Sequence, residues 1–304
     1  MSPQTGDTRE GFFYALSAYL LWGFLPFYMK AVAHVSAIEI VAHRILWSVP
    51  LAGAIIILLG RTDDLKRAIS NPVMLAQAAL TAAIISINWS IYVWAIATDQ
   101  ALEAALGYYI NPLFSIFLAY VFLGERLNKA QLIAIGFAAA AVALLTWHAG
   151  GLPWVAVGLT VTWGFYALFK RMLPIGPTQG FFLEVLLLCI PAFVYVVWLE
   201  TKGVGHFVDG NLSDTFLLCL AGAVTAIPLM LYATGAKLLR LSTIGIMQYI
   251  APTMIFLIAI FIFREPFDYV RLTAFCLIWT AIAIYSWSLL RERSASTVKS
   301  PSKA

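Results

Sequence analysis

Charge is scarce in this chain. Only 11% of its 304 residues are Asp, Glu, Lys or Arg, and 62% are hydrophobic, whereas soluble domains carry about 25% charged residues. With a mean hydropathy of +0.88, the composition excludes a water-soluble fold and predicts a membrane protein. The net charge of +4 is small, and the basic residues sit in short loops rather than along a stripe. A nucleic-acid partner is therefore not expected. Cysteine is nearly absent. Cys189, Cys219 and Cys276 lie far apart in apolar stretches, which gives neither a disulfide framework nor a metal site and predicts buried, reduced thiols. The four histidines, His34, His43, His148 and His206, include no His-Glu-x-x-His zinc pattern. A Gly-x-x-x-x-Gly-Lys-Ser/Thr loop is also missing, as is any soluble stretch able to hold ATP. No metal and no cofactor are expected. Met1 to Glu10 is polar, and no Ala-x-Ala-like site follows a short apolar core, so the first apolar run is expected to stay as a span.

What is present is apolar sequence in lengths that fit a bilayer, since a membrane helix needs ~20 mostly apolar residues. Ten runs qualify: 11–33, 37–59, 72–97, 101–123, 130–148, 152–171, 178–199, 214–236, 241–263 and 269–290, with Glu200 to Ser213 the largest loop. Lys and Arg set their orientation. With the N-terminus inside, fourteen of the 19 fall on the inner side and four (Lys30, Lys202, Arg264, Arg271) on the outer, leaving Arg44 within the membrane. The expectation is a multi-pass protein of the cell membrane, embedded in the lipid bilayer, with both termini cytoplasmic.

The chain also repeats itself. Tyr109-Ile110-Asn111-Pro112 returns as Tyr249-Ile250-Ala251-Pro252, 140 residues later; Tyr92 is matched by Tyr232 and Glu125 by Glu265 at the same offset. One residue of slippage earlier, Trp22-Gly23-Phe24 returns as Trp163-Gly164-Phe165, and Pro50 as Pro191. Five spans per copy is an odd number, so the copies must lie in opposite orientations. The predicted fold is an all-α polytopic membrane protein, its ten transmembrane helices forming two inverted five-helix repeats. Residues 1–10 are a cytoplasmic segment, 11–148 the first repeat, 149–290 the second, and 291–304 a polar tail expected to be disordered. Span five carries Ala134, Gly136, Ala138, Ala140 and Ala141, close-packing material that suits a homodimer face or a neighbour within the chain; a homodimer is not required.

Several side chains are unusual for their place. Glu39 and His43 in span two are four apart and share a helical face, with Arg44 one residue further round. A mid-membrane Arg costs roughly 2.5–3.5 kcal/mol on insertion scales, so it should face protein or water and have a partner. Arg44 reads either as structural, snorkelling toward Glu39 and His43, or as functional: an anion or carboxylate contact, or part of a proton-coupled network. Glu184 aligns with His43 in the second copy, and reads as a proton-carrying carboxyl or as a solvated group near its helix N-terminus. Asn88 and Tyr92 share a face of span three, as packing glue or as cavity lining.

Spans four and nine hold the repeated signature. Pro112 frees the carbonyl of Tyr108, and Pro252 that of Gln248. Freed carbonyls at membrane depth are tolerated where they face a cavity, water or another helix. With Tyr108, Tyr109 and Asn111 in one copy and Gln248 and Tyr249 in the other, the surroundings suit a small aromatic or amphipathic organic molecule. Trp22 and Trp163 lie deep in their spans, and with Tyr92 and Tyr232 they complete the expected cavity or gate.

Glu39-x-x-x-His43-Arg44-x-x-Trp47-Ser48, Asn88-Trp89-x-x-Tyr92, Gly107-Tyr108-Tyr109-Ile110-Asn111-Pro112 and Gly124-Glu125-Arg126-Leu127 together resemble the RarD-type transporters. These belong to the EamA group of the drug/metabolite transporter superfamily. The likeness runs from about Gly11 to Leu290. It implies ten helices in two inverted five-helix repeats, and export or exchange of small metabolites or drugs. Tyr109, Asn111 and Pro112, with Arg44, are the motif positions it carries over. Ala251 stands where the first copy has Asn111, so the two half-sites differ chemically.

Function follows as an expectation: a secondary transporter of small organic molecules by alternating access, driven by a gradient because nothing binds nucleotide. Glu39, His43 and Glu184 are the titratable candidates, and an uncoupled facilitator or exchanger is the alternative. An intramembrane enzyme is not expected, since Glu39 and His43 are two ligands without a third. A sensor or channel would need an output domain or a pore, and neither is legible.

Overall fold

Caps and turn residues cut the apolar sequence into helices where polar side chains can satisfy the free backbone ends. The structure, a computed structural model, describes residues 7–58, 60, 62–208 and 210–298, and every regular element among them is a helix. In chain order these are α1 (Arg9–Ala31), α2 (Ala37–Leu58), α3 (Thr62–Ile69), α4 (Pro72–Ala97), α5 (Ala101–Leu123), α6 (Lys129–Ala149), α7 (Trp154–Met172), α8 (Pro177–Thr201), α9 (Leu212–Leu238), α10 (Leu241–Met247), α11 (Ile250–Phe261) and α12 (Tyr269–Val298). Thr8 caps α1, Asn71 caps α4 with Pro72 following at the first helical position, and Asn128 with Gln131 forms a capping box on α6. Gly124 and Gly150 end α5 and α6 at φ 68° and 65°, a left-handed conformation that favours glycine.

Each expected span is matched by helix, with four differences. Among the described residues, nine helical stretches are long and apolar enough to cross a membrane; α7 is not among them, and its last turn carries Lys170 and Arg171. Span nine is two helices rather than one: α10 and α11 are separated at Gln248 and Tyr249. The break falls where the Pro252 ring opposes the Gln248 carbonyl, whereas α5 is unbroken through Pro112. The short α3 occupies what reads as a loop, burying Ala68 against Ala78, Leu173 and Leu183. Finally, α12 continues to Val298, so residues 291–298 are helical and not the disordered tail their polarity suggested. Good helix formers (Arg, Glu, Ala) run on there without Gly or Pro. Residues 299–304 and 1–6 lie outside the described residues.

The molecule is polar inside and apolar outside. Glu39, His43, Arg44, Ser48, Asn88 and Glu184 are buried, while Leu58, Trp147, Ile190 and Phe261 stand exposed. In water this arrangement would be unstable; in hydrocarbon it is the expected one, because polar groups must find partners within the protein. The three cysteines correct their expectation. Cys189 and Cys219 are half-buried and Cys276 is exposed on the apolar outer surface, all as free thiols.

Small residues set the closest approaches. Ala134, Ala138 and Ala141 of α6 are buried in one cluster with Ala274, Ile278 and Ala281 of α12. The span-five stripe is thus used within the chain, while Gly136 and Ala140 stay exposed. Asn128 donates to Ser288 Oγ at 2.6 Å and His148 Nε2 meets Asp268 Oδ2 at 3.2 Å, which joins the start of each helix to the far part of the other and makes the pair antiparallel. Between α2 and α9 the contact is tighter: a Cβ at Gly222 would lie 2.2 Å from the Trp47 carbonyl carbon. Gly222→Ala is expected to cost about 1–3 kcal/mol through forced backbone shifts, read as a lower thermal unfolding midpoint in detergent. Gly136→Ala, where nothing lies within 4 Å, is expected to leave the midpoint unchanged or raised.

Candidate functional site

The repeated tyrosines meet. Tyr109 on α5 and Tyr249, between α10 and α11, stack with ring centroids 6.3 Å apart and planes at 22°. Tyr109 Oη also bonds Thr253 Oγ1 at 2.7 Å. Both rings line a cavity of about 440 Å³ with Thr253, Phe256, Leu257, Trp279, Ile282 and Ala283. Its rim residues Thr253, Leu257 and Ala283 are exposed, so it opens sideways between α11 and α12. Pro252 is buried within α11, a helix that lines this cavity, and Gln248 turns back on its own segment to bond the Gly245 carbonyl. Asn111 and Pro112 are buried on α5, and the Asn111 Oδ1 has no partner.

A second group surrounds Arg44. Its Nε donates to Thr225 Oγ1 of α9 at 2.9 Å, and its guanidinium lies 4.7 Å over the Trp89 ring of α4. The phenols of Tyr108, Tyr28 and Tyr92 are close enough to interact with it electrostatically. Tyr92 and Tyr108 are in ring contact at 5.7 Å, and neither Tyr92 Oη nor Arg44 Nη1 has a hydrogen-bond partner. Asn88, one turn earlier on α4, spends its amide nitrogen on Leu159 O and Thr162 Oγ1 of α7 and leaves its oxygen unpaired. It acts as packing glue. A third group is aromatic only: Trp22 meets Tyr19 and Tyr232 at 5.7 and 5.6 Å. Trp163 touches Tyr166 of its own helix and does not join Trp22.

The expected network of Glu39, His43, Arg44 and Glu184 is not wired together; among the described residues no hydrogen bond or ion pair links any two of them. Glu39 instead accepts from His206 at its backbone N–H (2.8 Å) and at Nδ1 (3.0 Å). His206 packs edge-on to His34, which bonds Asp214. His43 lies 4.9 Å from the Phe207 ring with both nitrogens unpaired. Arg44, one residue round the helix, turns away from both. Glu184 is neither solvated nor free: it accepts from Lys170 Nζ (2.6 Å), Thr81 Oγ1 (2.7 Å) and Tyr166 Oη (3.2 Å) and is 1% exposed. The sequence reading missed Lys170 as a partner because, near the end of the 152–171 run, it counted only as an inner-side charge. Its position one turn from the helix end, on a four-carbon stem able to reach back, was the available signal.

The two repeated loop carboxylates behave differently. Glu265 accepts from the N–H groups of Ala101 (2.6 Å) and Leu102 (2.9 Å). It thereby caps α5, whose own cap residue Gln100 makes no capping bond with its side chain. Lys30 ties down the same end through Asp99 at 2.5 Å and through the Phe263 ring. Glu125, the mate of Glu265, is exposed and, among the described residues, meets only Arg171, at 3.2 Å. The start of α10 is held by Asp7, which accepts from Arg240 N–H and Thr243 Oγ1, each at 2.8 Å.

Comparison with known proteins gives the family. A model of the EamA-like transporter family matches residues 9–147. An "Uncharacterized transporter" of Vibrio cholerae is 37% identical over 97% of this chain and 98% of its own. "Protein RarD" of Streptomyces exfoliatus is 36% identical over 96% and 93%, and "Protein RarD" of Escherichia coli is 36% identical over 92% and 94%. One crystal structure, 19% identical over 96% of this chain and 99% of its own, superposes with a TM-score of 0.59, a likeness of fold alone. By its whole-length identity to these relatives, the chain belongs to the RarD-type transporters of the EamA family, within the drug/metabolite transporter superfamily.

Proposed function

We propose that this membrane transporter is a secondary carrier of small organic molecules that works by alternating access. In this reading all ten spans, α7 included, cross the cell membrane as two inverted repeats with both termini cytoplasmic. A monomer suffices, and the substrate is its only partner besides lipid. Helix packing supports the inversion. Asn128 aligns with Asp268 and His148 with Ser288 at the 140-residue offset, so the two bonds that close the α6/α12 pair are one bond repeated by exchange of the copies. The other main contacts exchange likewise: α1 with α9 answers α7 with α4, and α5 with α7 answers α11 with α1.

One observation carries the mechanism: equivalent carboxylates are in different states. Glu265 closes one end of the molecule onto α5, while Glu125 at the other end leaves its helix to Asp7. Two halves of like design held in unlike conformations are what alternating access needs, because exchanging the two states moves the opening from one face to the other. A second reading, an uncoupled exchanger, is favoured by the buried acids. Glu39 and Glu184 are both held by partners, so neither of these two candidates is a free carboxyl.

The test is a thermal-shift screen of purified protein against amino acids, amphenicols, organic cations and nucleosides, followed by flux of each hit into proteoliposomes. Flux that follows an imposed pH gradient supports coupling; flux indifferent to it supports exchange. Absence of flux for every stabilising ligand overturns the carrier. Tyr109→Ala and Asn111→Ala are each expected to lower specific transport about tenfold or more, the scale of one lost polar contact of ~1.4 kcal/mol, with insertion intact. Unchanged transport by both would remove spans four and nine from the pathway.

A further inference from the structure

We infer that Arg44 is an anion receptor whose missing partner is the carboxylate of a small aromatic monocarboxylic acid. The inference takes the carrier reading for its purpose, but the site stands on its own geometry. Arg44 is 5% exposed, and only one of its three guanidinium nitrogens, Nε, has a bond, to the neutral hydroxyl of Thr225. No acid in the described residues pairs with it. Glu39 is taken by His206 and Glu184 by Lys170. A buried charge without a counter-charge is strongly unfavourable, and a planar guanidinium with free N–H groups matches a carboxylate in a two-point contact.

The surroundings define the rest of the ligand. Trp89 covers one side of the guanidinium, and Tyr92 and Tyr108 stand against each other beside it. These π faces suit an aromatic body, and the unpaired Tyr92 hydroxyl offers a further polar contact. Five helices, α1, α2, α4, α5 and α9, supply Tyr28, Arg44, Trp89 with Tyr92, Tyr108 and Thr225, so both halves of the chain meet on the ligand. Tyr28 and Tyr108 are only half-buried, so they are the most accessible members of the group. A single positive charge selects a monoanion, because the other cation held among the helices, Lys170, is already neutralised.

The experiment measures binding by the full-length protein in detergent, by thermal shift and calorimetry, with benzoate, its neutral isostere benzamide, and inorganic phosphate as probes. Benzoate is expected to bind at least about tenfold more tightly than benzamide. Arg44→Gln is expected to weaken benzoate by about 30-fold or more, as truncating one partner of a buried charge pair does, and to leave benzamide unaffected. Should Arg44→Gln fail to fold, Arg44→Lys keeps the charge but loses the two-point contact, and is expected to weaken benzoate about tenfold. Equal affinity for benzamide and benzoate, or benzoate binding undiminished in the Arg44 variants, overturns the inference. Stabilisation by phosphate but not benzoate overturns it in favour of an inorganic anion. The carrier reading fails separately. Benzoate that binds but is never moved across proteoliposomes leaves the receptor and removes the carrier, whereas flux of neutral solutes that ignores benzoate and Arg44 does the reverse.

Discussion

Replacing Lys170 with Met is expected to cost about 3–5 kcal/mol, the penalty for leaving a buried ionic partner alone. That is a large share of the stability of most domains. Glu184 is 1% exposed and its shortest bond, 2.6 Å, is to Lys170; the hydroxyls of Thr81 and Tyr166 orient the carboxylate but cannot neutralise it. Lys170→Met should therefore express poorly or elute as aggregate on size-exclusion chromatography, with a sharply lower thermal midpoint. Glu184→Gln is expected to be milder, because Lys170 ends α7 and can swing its stem toward the surface. The double variant Lys170→Met with Glu184→Leu should recover most of the loss, since an apolar pair often replaces a buried ion pair without penalty. A near-normal Lys170→Met protein would show that Glu184 is held neutral, and would restore it as a proton carrier.

The second large effect is at Glu265. Its carboxylate makes two charge-assisted bonds to the free N–H groups that open α5, each worth roughly 1.5–3 kcal/mol. Glu265→Ala is expected to shift the gate by about 3 kcal/mol, about 100-fold in its equilibrium toward the open end. The readout is labelling of Leu102→Cys by an impermeant maleimide in a background lacking the three native thiols. Glu125→Ala, which removes an exposed pair worth about 1 kcal/mol or less, should leave that labelling nearly unchanged. Proton linkage gives a further sign. Burial pushes the Glu265 carboxyl above its ordinary range, Asp99 adds to this, and the Leu102 and Ala101 N–H groups and Arg271 oppose it. A group whose pKa is raised in the closed form favours closure below that range and loses the effect as pH rises through it. Labelling should thus speed up with rising pH more steeply in the Glu265 protein than in Glu265→Gln, where only the thiolate fraction of the introduced cysteine sets the slope.

Much of the fold was legible because a bilayer fixes both the length and the composition of what crosses it. The apolar runs and the loops between them follow from that constraint. Amphipathic α3 was missed because an eight-residue helix carries too little apolar length to register as a span. The break at Gln248 was only half legible: the same proline chemistry at Pro112 leaves α5 whole, so tertiary packing decides which copy yields. At the site, the repeat pairs Tyr109 with Tyr249, and the two rings stack. The linear spacing of Glu39, His43 and Arg44 suggests one network, but Glu39 bonds His206 and His43 packs on Phe207, both in the loop before α9, while Arg44 bonds Thr225 within α9. Partners 100 or more residues away, such as Thr81 for Glu184, leave no local trace in a single sequence.

Counterflow into proteoliposomes is the most direct test of a carrier. Vesicles holding the purified protein are loaded with a solute that stabilises it, benzoate first, and diluted into trace radiolabelled solute without nucleotide. The expected result is saturable uptake of chemically unaltered solute, accelerated by the unlabelled pool inside and lost in Arg44→Gln. Uptake that ignores the internal pool, no uptake, or recovery of an altered product would contradict alternating access in this protein.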